Sequence, residues 1–256
     1  MIWLRQRLEE LALAITFLTR LPCPAFKVRT GATLSNGLWA FPLAGLIVGF
    51  TAALALAAAI LIALPPAASA IIALITLTWM TGALHEDGLA DMADGIGGGR
   101  TTEQRLQIMR DSRIGTYGAL ALIAAAALAG VLLTHLIHTE GTTAACRALI
   151  VASCLSRTAI ALPLVILRPA RQDGLAAGLL RPAMPVVVIA VLWPVGLTTA
   201  WLGVLAAPVI MAVAVAAAVT TWLAWRSIGG TTGDVYGATV IAAFIAALLI
   251  LSALPT

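Results

Sequence analysis

LWAFPLAGLIVGFTAALALAAAILIAL, residues Leu38–Leu64, runs for 27 residues without a single charge. At about 1.5 Å per helical residue it spans roughly 40 Å, more than the roughly 30 Å of bilayer hydrocarbon. Pro65-Pro66 closes it, because proline removes a backbone donor and cannot continue a helix. Six further apolar runs follow, at Ala67–Leu84, Thr116–Ile137, Ala148–Leu167, Met184–Gly203, Val204–Trp225 and Val235–Leu254. The fifth and sixth, separated only by a short glycine-containing stretch, read as one hairpin or one broken helix. Leu8–Leu18 is too short to span and mixes charge with leucine, so it reads as an interfacial helix.

The whole composition agrees. Apolar residues make up 61% of the 256, charged residues 10%, and mean hydropathy is +1.04. Soluble domains carry about 25% charged residues, and a globule of this size cannot hide so much apolar surface from water. The chain is therefore expected to be all-α: a polytopic membrane helix bundle of about seven transmembrane helices plus an N-terminal interfacial helix, forming a single domain over residues 1–256. The net charge of +4 would suit nucleic acid. The basic residues sit in short loops beside apolar runs, however, so no nucleic-acid partner is expected and membrane lipid is. Cys23, Cys146 and Cys154 form no CxxC pair, which argues against a disulfide framework. Leu11–Leu18 lacks the length and the A-x-A site of a cleavable signal.

Charge tests the topology independently. With the N-terminal segment cytoplasmic and seven spans following, one side holds Arg5, Arg7, Arg20, Lys27 and Arg29, then Arg100, Arg105, Arg110 and Arg113. Arg168, Arg171, Arg181 and Arg226 join them, making thirteen of fifteen basic residues. That is the positive-inside pattern. Ten of eleven acids fall on the same side, with only Glu140 opposite, so the cytoplasmic face is the expected working face.

The acids concentrate in His85-Glu86-Asp87-Gly88-Leu89-Ala90-Asp91-Met92-Ala93-Asp94-Gly95, followed by Gly97-Gly98-Gly99. On a helix, Asp87, Asp91 and Asp94 lie at i, i+4 and i+7, on one face. A solvated acidic helix end accounts for any one of them. Three in register beside a membrane repel one another, and a hard cation such as Mg²⁺, which takes carboxylate oxygens, removes that cost. The glycines beyond Asp94 would let backbone amides approach phosphate oxygens. His85 either orients a carboxylate or caps the span.

Thr101 or Thr102 then caps a short amphipathic helix on the membrane surface. Arg110 and Arg113, read on one face of it, can clamp a phosphate or anchor to anionic lipid. Arg157, beside Ser156, falls in the middle of the fourth span, where an arginine is expensive and functional by default. Gly233-Asp234 precedes the last span and offers either a further carboxylate or a helix cap.

Taken together these segments resemble the adenosylcobinamide-GDP ribazoletransferase (cobalamin-5′-phosphate synthase) family. The resemblance rests on Phe17-Leu18-Thr19-Arg20-Leu21-Pro22, on Phe41-Pro42-Leu43-Ala44-Gly45, and on the run from Gly82 to Gly95. Ile108-Met109-Arg110-Asp111-Ser112-Arg113-Ile114-Gly115-Thr116-Tyr117-Gly118, Ser156-Arg157 and Thr232-Gly233-Asp234-Val235-Tyr236-Gly237-Ala238 complete it. Glu86 stands where the pattern leads one to expect an apolar residue. The resemblance implies a Mg²⁺-dependent phosphotransferase of the prokaryotic cytoplasmic (inner) membrane. It would join adenosylcobinamide-GDP to α-ribazole or its 5′-phosphate, release GMP, and so complete the nucleotide loop of cobalamin. The implied catalytic residues are Asp91, Asp94, Arg110, Arg113 and Arg157. Substrate contacts fall to His85, Gly97, Gly98, Asp111, Ser112 and Asp234, and Mg²⁺ to Asp87, Asp91 and Asp94. The apolar helix surfaces admit a homo-oligomer.

A CDP-alcohol phosphotransferase also carries a DGxxA element, but there Arg is expected where this chain has Asp91, and the later paired aspartates are missing. A prenyltransferase normally has two separated Asp-rich motifs, and here one is rich. A transporter would show repeat halves and polar residues at mid-membrane, where only Arg157 stands.

Overall fold

Apolar runs that cannot satisfy their backbone with water must satisfy it internally, and the computed structural model is helical accordingly. It describes residues 2–22, 33–171, 179 and 181–254. Lys27, Arg29, Cys23 and Asp173 lie outside the described residues. Among those described, the one strand-like pairing is a bridge between Pro169 and Thr231.

The elements in chain order are α1 (Ile2–Leu18), α2 (Phe41–Leu61, entered through a 3-10 turn at Asn36–Ala40), α3 (Pro66–Thr81) and α4 (Leu84–Gly98). After these come α5 (Thr102–Ile108), α6 (Thr116–Thr139), α7 (Thr142–Thr158) and α8 (Ala161–Ile166). The last are α9 (Met184–Leu202), α10 (Ala206–Ile228) and α11 (Gly233–Ala253). Helix α1 starts earlier than the sequence suggested. Its Glu10 is fully buried, bridging Arg7 at 2.8 Å and accepting the Trp39 indole N–H at 2.8 Å, while Trp3, Leu4 and Leu8 stay exposed.

Helix α7 is the centre of the bundle: from Ala148 to Ala161 every residue except Ile150 is buried. Helix α2 lies against it through Gly45 and Gly49. A methyl at Gly49 would fall 2.9 Å from the Ile150 Cα and the Leu149 carbonyl oxygen, and one at Gly45 would overlap the Ser153 carbonyl. Small residues four apart are how helices approach closely where lipid supplies no hydrophobic drive. Outside this core the surface is apolar: Ile71, Ile75, Leu120, Ile123, Leu192 and Met211 are all more than half exposed. Water would not tolerate so wide an apolar belt on a monomer, and a bilayer does.

Among the described residues, five segments are long and apolar enough to cross a membrane: Asn36–Leu61, Thr116–Thr139, Thr142–Ile166, Met184–Ile228 and Gly233–Ala253. A sixth is reached if α3 and α4 count as one bent span. The expected count of seven is not reproduced one for one, for two reasons. Helix α3 has only 16 residues, about 24 Å, and gives way to α4 at an angle of 89°. Helices α9 and α10 belong to one apolar segment interrupted at Gly203, whose φ is 57°.

Candidate active site on the acidic helix

The turn between α3 and α4 sets the site. Gly82 and Ala83 are both left-handed, with φ of 65° and 60°. Glycine adopts that region freely, while alanine does so at a cost of roughly 1–2 kcal/mol. The bend is held by the Thr78 hydroxyl, which donates to Glu86 Oε1 at 2.7 Å. The turn sends the acidic helix off at 89° to the apolar α3.

Helix α4 covers the whole acidic run, so Asp87, Asp91 and Asp94 do lie on a helix. It crosses the start of α11 backbone to backbone. A methyl at Gly88 would lie 2.8 Å from the Asp234 carbonyl oxygen and 3.0 Å from Gly237 Cα. This crossing brings Asp234 to the acidic helix. Burial, and then the charges of Asp234, Asp87 and Asp94, push the Asp91 carboxyl up to about 7, with Arg171 opposing. Asp234 in turn accepts from the Thr232 hydroxyl at 3.0 Å and from Arg171 Nη2 at 3.3 Å. Arg171 is held there by the Pro169–Thr231 bridge, in which Ala170 N–H donates to the Thr231 carbonyl at 2.9 Å. Its buried Nη1 has no partner.

Asp94 is engaged differently. Its two oxygens accept the backbone N–H of Gly115 at 2.7 Å and of Gly118 at 2.8 Å. These are the N-cap and third residues of α6, so Asp94 caps from another helix an N-terminus whose own cap residue has no side chain. Side chains at Gly115 or Gly118 would collide with the Asp94 carboxylate, which explains the glycines. Among the described residues, no group of three or more His, Cys, Asp or Glu side chains is placed to hold one ion. Asp87, Asp91 and Asp94 therefore do not form a complete protein cage.

The other expected residues divide. Gly97 and Gly98 lie inside α4 and not in a loop; at Gly97 a methyl would meet Tyr117 at 2.5 Å, and at Gly98 it would meet Ile108 at 3.4 Å. They permit close packing. Helix α5 is capped by the reciprocal Thr101–Gln104 pair and ends at Ile108, so Arg110 and Arg113 stand on the turn beyond it and share no helical face. Arg113 is exposed and pairs with Asp111 at 2.7 Å; that pairing pulls the Asp111 carboxyl down to about 2. Ser112 and Arg110 are also exposed. Arg157 is buried in α7, donating from Nη1 to Ser156 Oγ at 3.1 Å and to the Ser153 carbonyl at 3.4 Å. His85 is buried with Nε2 unpartnered.

Sequence reasoning did not single out two participants. Arg171 read, with Arg168 and Arg181, as part of a basic loop suited equally to a polyanionic ligand or to positive-inside anchoring, and only its contact with Asp234 sets it apart. Glu86 had a visible signal, an acid where an apolar residue was expected.

Fold and site together define a polytopic membrane protein with a carboxylate-rich helix turned across the end of its bundle. The cobalamin-5-phosphate synthase family model matches residues 10–252. The chain is 40% identical over 236 residues to the adenosylcobinamide-GDP ribazoletransferase of Bradyrhizobium diazoefficiens, covering 92% of this chain and 90% of that one. It is 40% identical over 249 residues to the protein of that name from Mesorhizobium japonicum, covering 97% and 94%. With the one from Xanthobacter autotrophicus it shares 41% over 256 residues, covering 94% of each. No solved structure matches. The chain belongs to the cobalamin-5-phosphate synthase family.

Proposed function

We propose that this protein is a Mg²⁺-dependent transferase that joins adenosylcobinamide-GDP to α-ribazole or α-ribazole 5′-phosphate. The family and the relatives' names carry the reaction. The observation in this chain that supports it is the gathering of Asp87, Asp91 and Asp234 at the α4–α11 crossing, beside an arginine with a free buried donor. In the reaction a ribazole hydroxyl oxygen forms a bond to the cobinamide-linked phosphorus, the pyrophosphate P–O bond breaks, and GMP leaves. Asp87 and Asp91, with Asp234 alongside, would hold Mg²⁺ together with substrate phosphate oxygens and water. Two carboxylates are what Mg²⁺ usually takes from a protein at such sites. The metal, when bound, neutralises the pyrophosphate and stabilises the leaving phosphate.

Each residue then has a physical task. Asp91, whose carboxyl burial and the neighbouring acids raise to about 7 without metal, is the carboxylate that a bound cation relieves. Arg171 Nη1 faces anionic oxygen, and Asp234 orients it. Arg110 and Arg113 meet phosphate from the turn after α5, with Asp111 and Ser112 positioning them. Asp94 acts by fixing α6 against the acidic helix.

The same reading takes seven spans, with the N-terminus and the site cytoplasmic in a bacterial inner membrane. Two features support separate fifth and sixth spans. Gly203 breaks the Met184–Ile228 segment, and Val187 and Val191 of α9 line one apolar cavity with Val213 and Ala217 of α10, as two arms of a hairpin do.

The test is turnover by protein in liposomes given adenosylcobinamide-GDP, α-ribazole 5′-phosphate and Mg²⁺. GMP release that stops with EDTA, and falls at least about 100-fold in Asp91→Asn, is the expected outcome. Turnover surviving both would retain the reaction and remove the metal-centred mechanism.

A further inference from the structure

A second cavity lies beside the carboxylates, enclosed by α3, α4, α6, α7 and α11, with a volume of about 100 Å³. Its walls are apolar, formed by Leu74, Leu89, Leu122 and Phe244 among others, and its polar groups are His85, Glu86 and Arg157. Two of these carry unmet hydrogen-bonding capacity, for His85 Nε2 and Glu86 Oε2 are buried without partners. His85 itself is 3% exposed. Leaving such atoms unpaired costs roughly 1–3 kcal/mol each. An apolar chamber ending in unpaired polar atoms is built for a ligand that is apolar over its faces and polar at one edge.

The candidates separate on chemistry. A lipid chain fills the walls and leaves both polar atoms unpaired. A phosphate or sugar would lose its hydration against leucine and phenylalanine. A flat aromatic ring with a ring nitrogen fills the walls and meets one of the two atoms, its lone pair accepting from the His85 Nε2–H. The cavity is smaller than the roughly 150 Å³ that takes benzene and is open on one side, so it holds one edge of a ring and leaves the rest in the mouth.

Position agrees as well. Along α11 the cavity residues Val240 to Phe244 lie six to ten residues beyond Asp234, about 9–15 Å deeper into the bundle. His85 and Glu86 directly precede Asp87 on α4, so the polar end of the cavity is the end nearest the acidic run. We infer that this cavity binds the aromatic base of the ribazole acceptor, with the His85 Nε2–H donating to its ring nitrogen and the apolar walls packing its faces. The inference rests on the proposed transferase reaction and assigns the acceptor's place in it.

The test uses the full chain in lipid nanodiscs, with benzimidazole as a phosphate-free probe and empty nanodiscs subtracted. Wild-type protein should bind it saturably. Ala125→Phe, which fills the cavity from α6, should abolish that binding and raise KM for α-ribazole 5′-phosphate at least about tenfold, equivalent to about 1.4 kcal/mol. KM for adenosylcobinamide-GDP should stay within about twofold. If Ala125→Phe does not insert, Ala125→Leu carries the same comparison with a smaller shift. No saturable binding to wild type, or equal binding and equal KM in the filled variant, overturns the assignment. Ring binding abolished by Ala125→Phe but without any GMP release would overturn the transferase reading and, with it, the acceptor assignment, leaving an aromatic-ring site.

Discussion

At the residue scale, four aspartates in one neighbourhood differ in what surrounds them, and the proposed tasks follow from that. Asp91 accepts no fixed donor, and its carboxyl, raised to about 7 by burial and by Asp234, Asp87 and Asp94, is the one a cation would relieve most. A proton and Mg²⁺ then compete for it. The half-saturating Mg²⁺ concentration should rise up to about tenfold for each pH unit below about 7 and level off above it, as one displaced proton requires. GMP release titrated with Mg²⁺ at several pH values checks this, and a pH-independent half-saturation would remove Asp91 as a ligand. The sign for stability is opposite to that of a salt-bridged acid. In metal-free protein, ionisation costs stability as pH rises from the ordinary carboxylate range through about 7, and Mg²⁺ offsets the loss. Asp94 behaves otherwise, because its oxygens accept two backbone N–H groups. Asp94→Asn turns one acceptor into a donor facing a donor and should cost about 1–3 kcal/mol, seen as a lower Tm in detergent. Unchanged Tm with lost activity would move Asp94 into the metal site.

At the element scale, the site exists because α4 leaves α3 at 89° and then touches α11 backbone to backbone. Gly88 is the contact. A methyl there has backbone and not a flexible side chain to displace, so Gly88→Ala must push α4 away from Asp234, at about 1–3 kcal/mol. The expected result is inserted protein whose kcat falls about 10- to 100-fold, since small misplacements of reacting groups have large kinetic effects. Wild-type kcat in Gly88→Ala would show that Asp234 does not work with the acidic helix. The bend itself was hard to read from the residues: Gly82 marks a turn, but nothing in an alanine announces the left-handed Ala83. Helix α5 shows the same limit at its other end. Its Thr101 cap was legible as a side-chain preference, whereas its stop at Ile108, which takes Arg110 and Arg113 off any common face, was not.

At the scale of the whole molecule, the proposed seven-span topology assigns thirteen of fifteen basic residues to one side of the membrane. In a background without native cysteines, Glu140→Cys should react with an impermeant maleimide in intact cells, and Arg100→Cys only in inverted vesicles. The reverse pattern would place the active site outside. The sequence by itself determined the solvent, the helical class and the family, because hydropathy and charge bias are local, additive properties that any window of the chain carries. It also located the acidic run, since carboxylates beside an apolar span are costly unless used. Only the tertiary structure decided what each carboxylate touches. Asp94 meets α6 some 21 to 24 residues onward, and Asp234 reaches Asp91 from the far end of the chain through two facing glycines. The uncapped polar edge of the inner cavity arises where five helices meet. Such pairings depend on a bend and a crossing that no single segment encodes, and their energies appear only once the helices are packed together.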